Sequence, residues 1–260
     1  MATPQALVIR TAGTNCDQET VFALEQAGAG VKRVHINQLT AEKDPFAGVQ
    51  IMAIPGGFTY GDDVASGKVL AVELKHVLGE KIREFVEKGG LVIGICNGFQ
   101  VLVKTGLLPD AGLQSAAERK ATLTFNDSHK FECRWVKLRA DKNTVCVFAE
   151  PGEEIEVPVA HGEGKLVARD PASVTEWEKN GQVVYRYAGA DGAEPVYPAD
   201  PNGSVGHIAG ICDKTGRVFG LMPHPERHVF PYQHPRWTRG DAAANGAGAR
   251  LFARAVKYCQ

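Results

Sequence analysis

The sequence predicts an α/β protein with an open, mostly parallel sheet in three layers and an added β-rich second half. Two observations lead to this prediction. Up to Gly112, apolar runs alternate with segments of helical spacing, and a strand–helix–strand order requires crossover connections and therefore a parallel sheet with both faces covered. Beyond Gly112, the apolar runs follow one another as in hairpins. No stretch has the composition of a linker, so we expect a single domain over residues 1–260.

Four strands and three helices are predicted in the first half, and the third helix, NGFQVLVKTG, follows the fourth strand. The strands are 6–10, 31–36, 49–54 and 91–95, with the sequences ALVIR, VKRVHI, VQIMAI and LVIGI. The segment QETVFALEQAG predicts a helix that ends at Gly28. Apolar residues from Leu74 to Val86 recur at helical spacing, and the glycines of EKGG end this second helix.

Six further strands and a final helix are predicted in the second half. Four hairpin-like runs are HKFECRWVKLRA (129–140), NTVCVF (143–148), EIEVPVAHGEG (154–164) and GQVVYRYAG (181–189). The tight turn KTGR joins two more strands, in HIAGICD and at the beginning of VFGLMPHPER. A terminal helix is expected from about Ala243 to Tyr258.

Composition disfavours several classes of function. The formal net charge is -1 over 260 residues, so there is no global basic field of the kind that binds nucleic acid or anionic membranes. The first ten residues do not resemble a signal peptide, and no apolar run approaches the length of a bilayer span, so we expect a cytoplasmic protein. Six cysteines without a C-x-x-C pair favour reduced thiols over a disulfide framework.

The stretch from Gly94 to Gly98 has the G-x-nucleophile-x-G form of a strand-to-helix elbow, with Cys96 in the nucleophile position. Small flanking residues let the backbone turn tightly. The turn places Cys96 at the carboxyl end of the sheet and at the start of a helix, whose dipole favours a thiolate and whose free N–H groups can bind an oxyanion. The alternative is an unreactive cysteine buried in an apolar strand.

A base and an orienting carboxylate stand close together in GLMPHPER. Residues two apart in an extended segment point to the same side, so Glu226 can hold the imidazole of His224, which can then activate the thiol. The flanking prolines restrict the segment. A surface turn is the unreactive alternative. A zinc site formed by His224, Glu226 and His228 is a second functional hypothesis, which leaves the Cys96 elbow without a purpose.

The segment AIPGGFTYGDD, which follows an apolar strand, predicts an oxyanion site. Gly56 and Gly57 allow backbone conformations that expose N–H groups, and a carbonyl oxygen that gains charge could be bound there together with the N–H of Asn97. Combined with the elbow and the His–Glu pair, these glycines complete a predicted cysteine acyl-transfer site.

The segments PGGF, GICNGFQ and MPHPER resemble, in this order and spacing, the three signature segments of class I (triad) glutamine amidotransferases. FTYGDD, AHGEG and PNGS look specifically like segments of the glutaminase components of phosphoribosylformylglycinamidine synthase, and the similarity covers nearly the whole chain. The resemblance implies a flavodoxin-like three-layer sheet and hydrolysis of glutamine to glutamate and ammonia through a cysteine thioester.

The same resemblance implies a role for individual residues, with three for catalysis and four for glutamine binding: Cys96, His224 and Glu226, then Gly56, Gly57, Asn97 and Gln100. It implies no metal site in this chain. Ammonia would pass to a PurL-like synthetase subunit, with a small PurS-like accessory subunit, to make formylglycinamidine ribonucleotide in de novo purine biosynthesis. ATP and Mg²⁺ would belong to the synthetase subunit, because this chain has no G-x-x-x-x-G-K-[ST] phosphate loop.

Three alternatives and several residues stay open. The alternatives are a glutaminase component of another amidotransferase, a DJ-1/PfpI-like cysteine hydrolase, and a non-catalytic subunit that keeps the fold. The sequence does not assign the roles of His129, His161 and Glu163 or of the tail 227–242.

Cys16 is a second cysteine at the start of a predicted helix, in the stretch TNCDQE. Such a position could lower the pKa of a thiol. No glycine elbow surrounds Cys16, however, and helix capping by Asn15 or Asp17 accounts for the stretch.

Overall fold

The computed structural model describes residues 2–113, 115, 117–239 and 246–260. Its strands in chain order are β1 (Gln5–Arg10), β2 (Gly30–His35), β3 (Ile51–Ile54), β4 (Leu91–Ile95), β5 (Ala121–Thr124), β6 (Glu132–Ala140), β7 (Glu154–His161), β8 (Lys165–Ala168), β9 (Val183–Tyr187), β10 (Ile208–Cys212) and β11 (Val218–Leu221). Nine of these form one sheet in the order β2-β1-β3-β4-β11-β10-β9-β6-β7, and β5 pairs with β8 separately.

The large sheet is parallel in one half and antiparallel in the other. Strands β2, β1, β3, β4 and β11 are parallel neighbours, whereas β10, β9, β6 and β7 each run antiparallel to the preceding strand in the sheet. Burial follows this division: β3 and β4 are buried at every position, as central parallel strands are, while β7 alternates. The predicted α/β fold with a β-rich second half is confirmed.

Seven α-helices lie in the described part of the chain: α1 (Asp17–Gln26), α2 (Ile36–Ala41), α3 (Lys68–Glu73), α4 (Gly79–Glu87), α5 (Asn97–Thr105), α6 (Pro171–Lys179) and α7 (Ala249–Tyr258). A π-helical turn, Leu74–Leu78, connects α3 to α4. Helix α1 packs on β1, β2 and α7, and α5 packs on β4, β11 and α3. None of the described helices has the length and apolar character needed to cross a membrane.

The register of the parallel strands places three functional loops side by side. Ile54, the last residue of β3, pairs with Gly94 of β4, and Leu221, the last residue of β11, pairs with Ile95. The chain therefore leaves these three neighbouring strands at nearly the same level. The loops that follow them carry Gly56, Cys96 and His224, respectively.

The predicted strand over 143–148 is wrong. Its side chains alternate in burial as those of a strand do, with Cys146 and Phe148 buried and Val145 exposed. Its backbone, however, bonds to two separate turns: the Val145 N–H donates to Gly181 O and the Val147 N–H to Gly216 O. Without one partner strand, the segment folds as successive turns.

The helices of the second half also differ from the prediction. Helix α7 begins at Ala249 rather than near Ala243, and residues 243–245 lie outside the described residues. The unpredicted helix α6 follows a standard start signal, since the Asp170 side chain accepts a hydrogen bond from the Ser173 N–H and Pro171 occupies the first turn.

Candidate active site

Cys96 lies at the turn between β4 and α5 in the strained backbone conformation of an elbow. Its φ and ψ are 52° and -107°, which few residues other than glycine adopt. The Cys96 N–H donates to Leu221 O at 2.7 Å, which ties the elbow to β11. At Gly98, a Cβ atom would lie 1.9 Å from Ile54 O, so only glycine allows α5 to approach β3 this closely. The structure confirms the predicted elbow.

His224 and Glu226 meet as predicted, but in a different backbone geometry. His224 Nδ1 lies 2.7 Å from Glu226 Oε1, and both side chains are buried. The segment is not extended: Pro225–Arg227 form one 3-10 turn, and this turn brings the two side chains together. The His224 N–H donates to Pro158 O of β7 at 2.8 Å, which fixes the backbone of the base.

The electrostatic surroundings of His224 favour the imidazolium form. Burial by itself disfavours the charge, but the carboxylate of Glu226 and the thiols of Cys96 and Cys16 together raise the pKa of His224 well above its ordinary value. His224 Nε2 is buried and has no hydrogen-bond partner with proper geometry among the described residues. A proton on Nε2 is therefore available to a reacting group, while Glu226 holds the other ring nitrogen.

The thiol and the base lie in a closed site. Cys96 is 5% exposed and His224 is 1% exposed. The Cys96 Sγ donates to Ala160 O at 3.7 Å, so the end of β7 contacts the nucleophile as well as the base. The sequence predicted no role for β7 here, because its contribution to the site is made by backbone carbonyl groups.

Gly56 and Gly57 follow β3, and a Cβ atom on each would meet different neighbours. A Cβ atom on Gly56 would lie 2.8 Å from His224 Cε1 and 3.3 Å from both Cys96 Cβ and Cys16 Sγ. On Gly57, whose φ is 141°, it would lie 2.7 Å from the backbone of the loop that holds Gly13. The missing side chain at Gly56 thus leaves room for the His224 ring, and the missing side chain at Gly57 leaves room for the backbone of the Gly13 loop.

The side chains of Asn97 and Gln100 are held by a chain of hydrogen bonds. Asn97 Oδ1 accepts from Thr59 Oγ1 at 2.7 Å, and Asn97 Nδ2 donates to Asp62 Oδ1 at 3.0 Å and to Gln100 Oε1 at 2.9 Å. Gln100 Nε2 donates to Glu163 O at 2.6 Å. These contacts tie the segment FTYGDD and the segment AHGEG to the first turn of α5, so both loops are fixed relative to Cys96.

A buried amide shapes the AHGEG segment. Asn126 Oδ1 accepts from Gly164 N–H at 2.9 Å and lies 3.1 Å from His161 Nδ1, which must then carry a proton. Burial lowers the pKa of His161 to about 3, so its ring stays neutral at physiological pH and is no rival base. His129, where the resembling family often has glycine, has a left-handed φ of 53°, which glycine adopts most readily.

The tail after the triad packs on the antiparallel half of the sheet. His228 Nδ1 lies 2.6 Å from Glu156 O, and Arg236 Nη2 lies 2.9 Å from Glu156 Oε2. The rings of His228 and His234 contact Trp135 at 5.0 and 4.6 Å. His228 thus belongs to this packing and not to the site of the zinc hypothesis. Residues 240–242 of the tail lie outside the described residues.

Cys16 is the residue of the site that sequence reasoning missed. Its sulfur, a ring nitrogen of His224 and a carboxylate oxygen of Glu226 lie within 4.8 Å of one another. The capping interpretation is wrong, because Cys16 itself is the N-cap residue and no side chain of the described part caps α1 there. The position of Cys16 along the chain could have pointed to the site, because Cys16 follows β1, and the neighbouring strand β3 is followed by the loop with Gly56. The Cys16 N–H donates to Gly56 O and so joins the two loops.

Comparison with known proteins agrees with this geometry. Residues 3–259 match the family described as CobB/CobQ-like glutamine amidotransferase domain. The chain is 49% identical to phosphoribosylformylglycinamidine synthase subunit PurQ of Dehalococcoides mccartyi, over 100% of this chain and 99% of that protein. It is 43% identical to the PurQ subunit of Methanococcus maripaludis, over 98% and 97% of the two chains.

Among solved structures, one titled as the structure of PurLQS from Thermotoga maritima contains a chain that matches with a TM-score of 0.73 and 33% identity, and the match covers 100% of both chains. Family and fold agree with the elbow and the His–Glu pair. The chain therefore belongs to the CobB/CobQ-like glutamine amidotransferase domain family and, within it, to the PurQ subunits of phosphoribosylformylglycinamidine synthase.

Proposed function

We propose that this chain, as one domain over residues 1–260, supplies ammonia to phosphoribosylformylglycinamidine synthase by hydrolysing glutamine on Cys96. One observation carries the proposal: the elbow cysteine interacts with an imidazole whose far nitrogen is held by a buried carboxylate at 2.7 Å. This arrangement provides a nucleophile, a proton carrier and an orienting group, which are the parts that acyl transfer requires.

The first half-reaction forms the thioester. Cys96 Sγ, its proton transferred to His224 Nε2, attacks the side-chain amide carbon of glutamine and forms a C–S bond. The carbonyl oxygen gains negative charge, which the N–H groups of Gly57 and Asn97 are proposed to bind. The C–N bond then breaks as His224 Nε2 gives its proton to the leaving nitrogen, so ammonia leaves and the γ-glutamyl group stays on Cys96.

The second half-reaction releases glutamate. His224, now neutral at Nε2, takes a proton from a water molecule that attacks the thioester carbon. The C–S bond breaks, and Cys96 Sγ leaves as a thiolate beside the imidazolium of His224, the pair that attacked the amide in the first half-reaction. Glu226 keeps the same ring nitrogen protonated through both half-reactions, which fixes the tautomer that can carry protons on Nε2.

The partners follow from the same proposal. The relatives are named as subunits of a synthase, and the solved relative is titled PurLQS. We infer that a PurL-like synthetase subunit, together with a PurS-like subunit, receives the ammonia. ATP and Mg²⁺ act in that synthetase subunit, which converts formylglycinamide ribonucleotide into the amidine.

The test is reconstitution with the synthetase and accessory subunits. Cys96→Ala is expected to abolish glutamine-dependent amidine synthesis and to leave ammonia-dependent synthesis at the wild-type rate, because only the ammonia supply is lost. Loss of both activities would contradict the assignment, as would full glutamine-dependent synthesis by the variant. Copurification of the wild-type and variant chains with the partners shows that the complex is intact.

A further inference from the structure

Two thiols, and not one, face the imidazole of the site. Cys16 is 1% exposed, and its sulfur interacts with His224 as does that of Cys96. The glutaminase reaction described above uses only Cys96. Cys16 therefore is a buried nucleophilic group next to the base with no part in the proposed chemistry, and His224 Nε2, also buried, has no properly oriented hydrogen-bond partner among the described residues.

Arg227 holds the sulfur of Cys16 in this place. Its Nη2 donates to Cys16 Sγ at 3.1 Å, and its Nε donates to Glu19 Oε2 at 3.1 Å. Arg227 belongs to the same 3-10 turn as Glu226, and Glu19 lies in the first turn of α1. The Arg227 guanidinium thus links the 3-10 turn that contains Glu226 to the start of α1, where Cys16 is the N-cap residue.

The charges around the sulfur do not favour a metal ion, although three potential ligand atoms are close together. The Arg227 guanidinium lies against Cys16 and would repel a bound cation. Burial raises the pKa of the Cys16 thiol, against the opposing effects of His224 and Arg227, so the group is a neutral thiol at physiological pH. A neutral thiol can donate one hydrogen bond and accept others.

We propose that Cys16 is a positioning residue for glutamine hydrolysis: its thiol, fixed by Arg227, gives His224 Nε2 a hydrogen-bond partner that remains when Cys96 is bonded to the substrate. This inference rests on the proposed function. A thiol suits both protonation states of the ring, because its sulfur accepts from the N–H of the imidazolium and its S–H donates to the bare nitrogen of the neutral ring. In the present state the S–H donates to Asn15 Oδ1 at 3.3 Å, from which it can rotate.

The groups that face His224 from each neighbouring element are few. Glu226 acts from the same turn, Cys96 from the elbow before α5, and Cys16 from the start of α1. From the end of β7 comes His161, which is neutral at working pH. Arg227 faces Cys16 rather than the ring. Removal of the Cys16 sulfur is therefore expected to make the imidazolium less stable, because one of the three groups that favour its charge is lost.

The test compares Cys16→Ala, Cys16→Ser and the matched control Cys146→Ala, which removes a buried sulfur outside the site, each reconstituted with the partner subunits. Cys16→Ala is expected to lower kcat for glutamine about tenfold with KM within about twofold, the effect of one hydrogen bond made in the reacting state. The alkaline limb of its pH profile is expected to move down by about half to one pH unit. Cys16→Ser, which keeps a donor and acceptor, is expected to recover most of both changes.

Each outcome decides between the two proposals. Wild-type kcat and pH profile in Cys16→Ala would overturn the role of Cys16, and so would equal losses in the alanine and serine variants. If the wild-type complex itself hydrolysed no glutamine, the proposed function would fail instead. Thermal unfolding of each variant reports whether the fold is intact, and ammonia-dependent synthesis reports whether the complex is intact. If the alanine variant does not fold, the kinetics and pH profile of the serine variant are compared with those of the wild type instead.

Discussion

Gly56→Ala is the most informative single perturbation of the site, because it adds one carbon atom between three functional side chains. The new Cβ would lie 2.8 Å from His224 Cε1 and 3.3 Å from Cys96 Cβ and Cys16 Sγ. Carbon atoms in ordinary contact are about 3.5 Å apart or more, so the ring must move by about 0.7 Å. A misplacement of about 1 Å can cost about 100-fold in rate, so kcat is expected to fall between about 10- and 100-fold.

Stability is expected to change much less than activity in this variant. Gly56 is not among the residues with positive φ, so alanine can adopt its backbone conformation. The loss of unfolded-chain entropy contributes about 0.4–1 kcal/mol in favour of the folded state, which offsets part of the contact strain. The unfolding free energy, measured in urea, should therefore change by no more than about 1–2 kcal/mol.

The assay is steady-state glutamine hydrolysis in the reconstituted complex, with Gly79→Ala as the matched control. A Cβ on Gly79, at the start of α4, would lie 3.0 Å from the end of the Leu113 side chain and at an ordinary contact distance of 3.9 Å from Leu74 O, so this variant should leave kcat unchanged. Wild-type kcat in Gly56→Ala would refute the argument that the imidazole must keep its present position.

Three further predictions concern the groups around the triad. Glu226→Gln should lower kcat by about 10²–10⁴-fold with little change in KM, because an amide can hold the wrong tautomer of His224. Steady-state kinetics of glutamine hydrolysis check this prediction. A raised KM at unchanged kcat would contradict it. The pKa of His161 in the folded protein is about 3, below its ordinary value of 6.5, so the unfolded chain binds the extra proton in between and stability falls as the pH is lowered. From pH 6.5 to 5 the unfolding free energy of the wild type should therefore drop by between about 1 and 2 kcal/mol relative to His161→Gln in urea titrations, and parallel curves would refute this. Asn126→Ala leaves the buried Gly164 N–H and His161 ring without their acceptor, so urea unfolding should show a loss of about 2–4 kcal/mol; a loss below about 0.5 kcal/mol would show that the amide does not hold the AHGEG segment.

Local patterns in the sequence predicted the parts of the site that are close together along the chain. Gly94 and Gly98 specify the elbow around Cys96 because a Cβ atom at either position would collide with neighbouring backbone. His224 and Glu226 are two residues apart, so both an extended segment and a compact turn can bring their side chains together. The predicted pair is therefore present, although the segment forms a 3-10 turn instead of the extended conformation that was predicted. The parallel strands were predicted because continuous apolar runs are typical of strands buried on both faces.

The contacts that join distant segments could not be predicted in the same way. Cys16 reaches His224 only because β1, β3, β4 and β11 are neighbours in the sheet, and this strand order is not encoded in any local pattern. Ala160 and Pro158 contribute backbone carbonyl groups, which no side-chain motif reveals. The strand prediction for 143–148 was wrong because alternating burial also arises where a loop packs on the core without a partner strand.

The central claim is that Cys96, and not the neighbouring Cys16, is the nucleophile that attacks glutamine. Mass spectrometry of the protein after alkylation by a glutamine-analogue electrophile tests this claim most directly, because it identifies the modified sulfur. We predict one adduct per chain, on Cys96, whose formation glutamine slows and Glu226→Gln reduces. An adduct on Cys16 with Cys96 unmodified, or no adduct at all, would contradict the account.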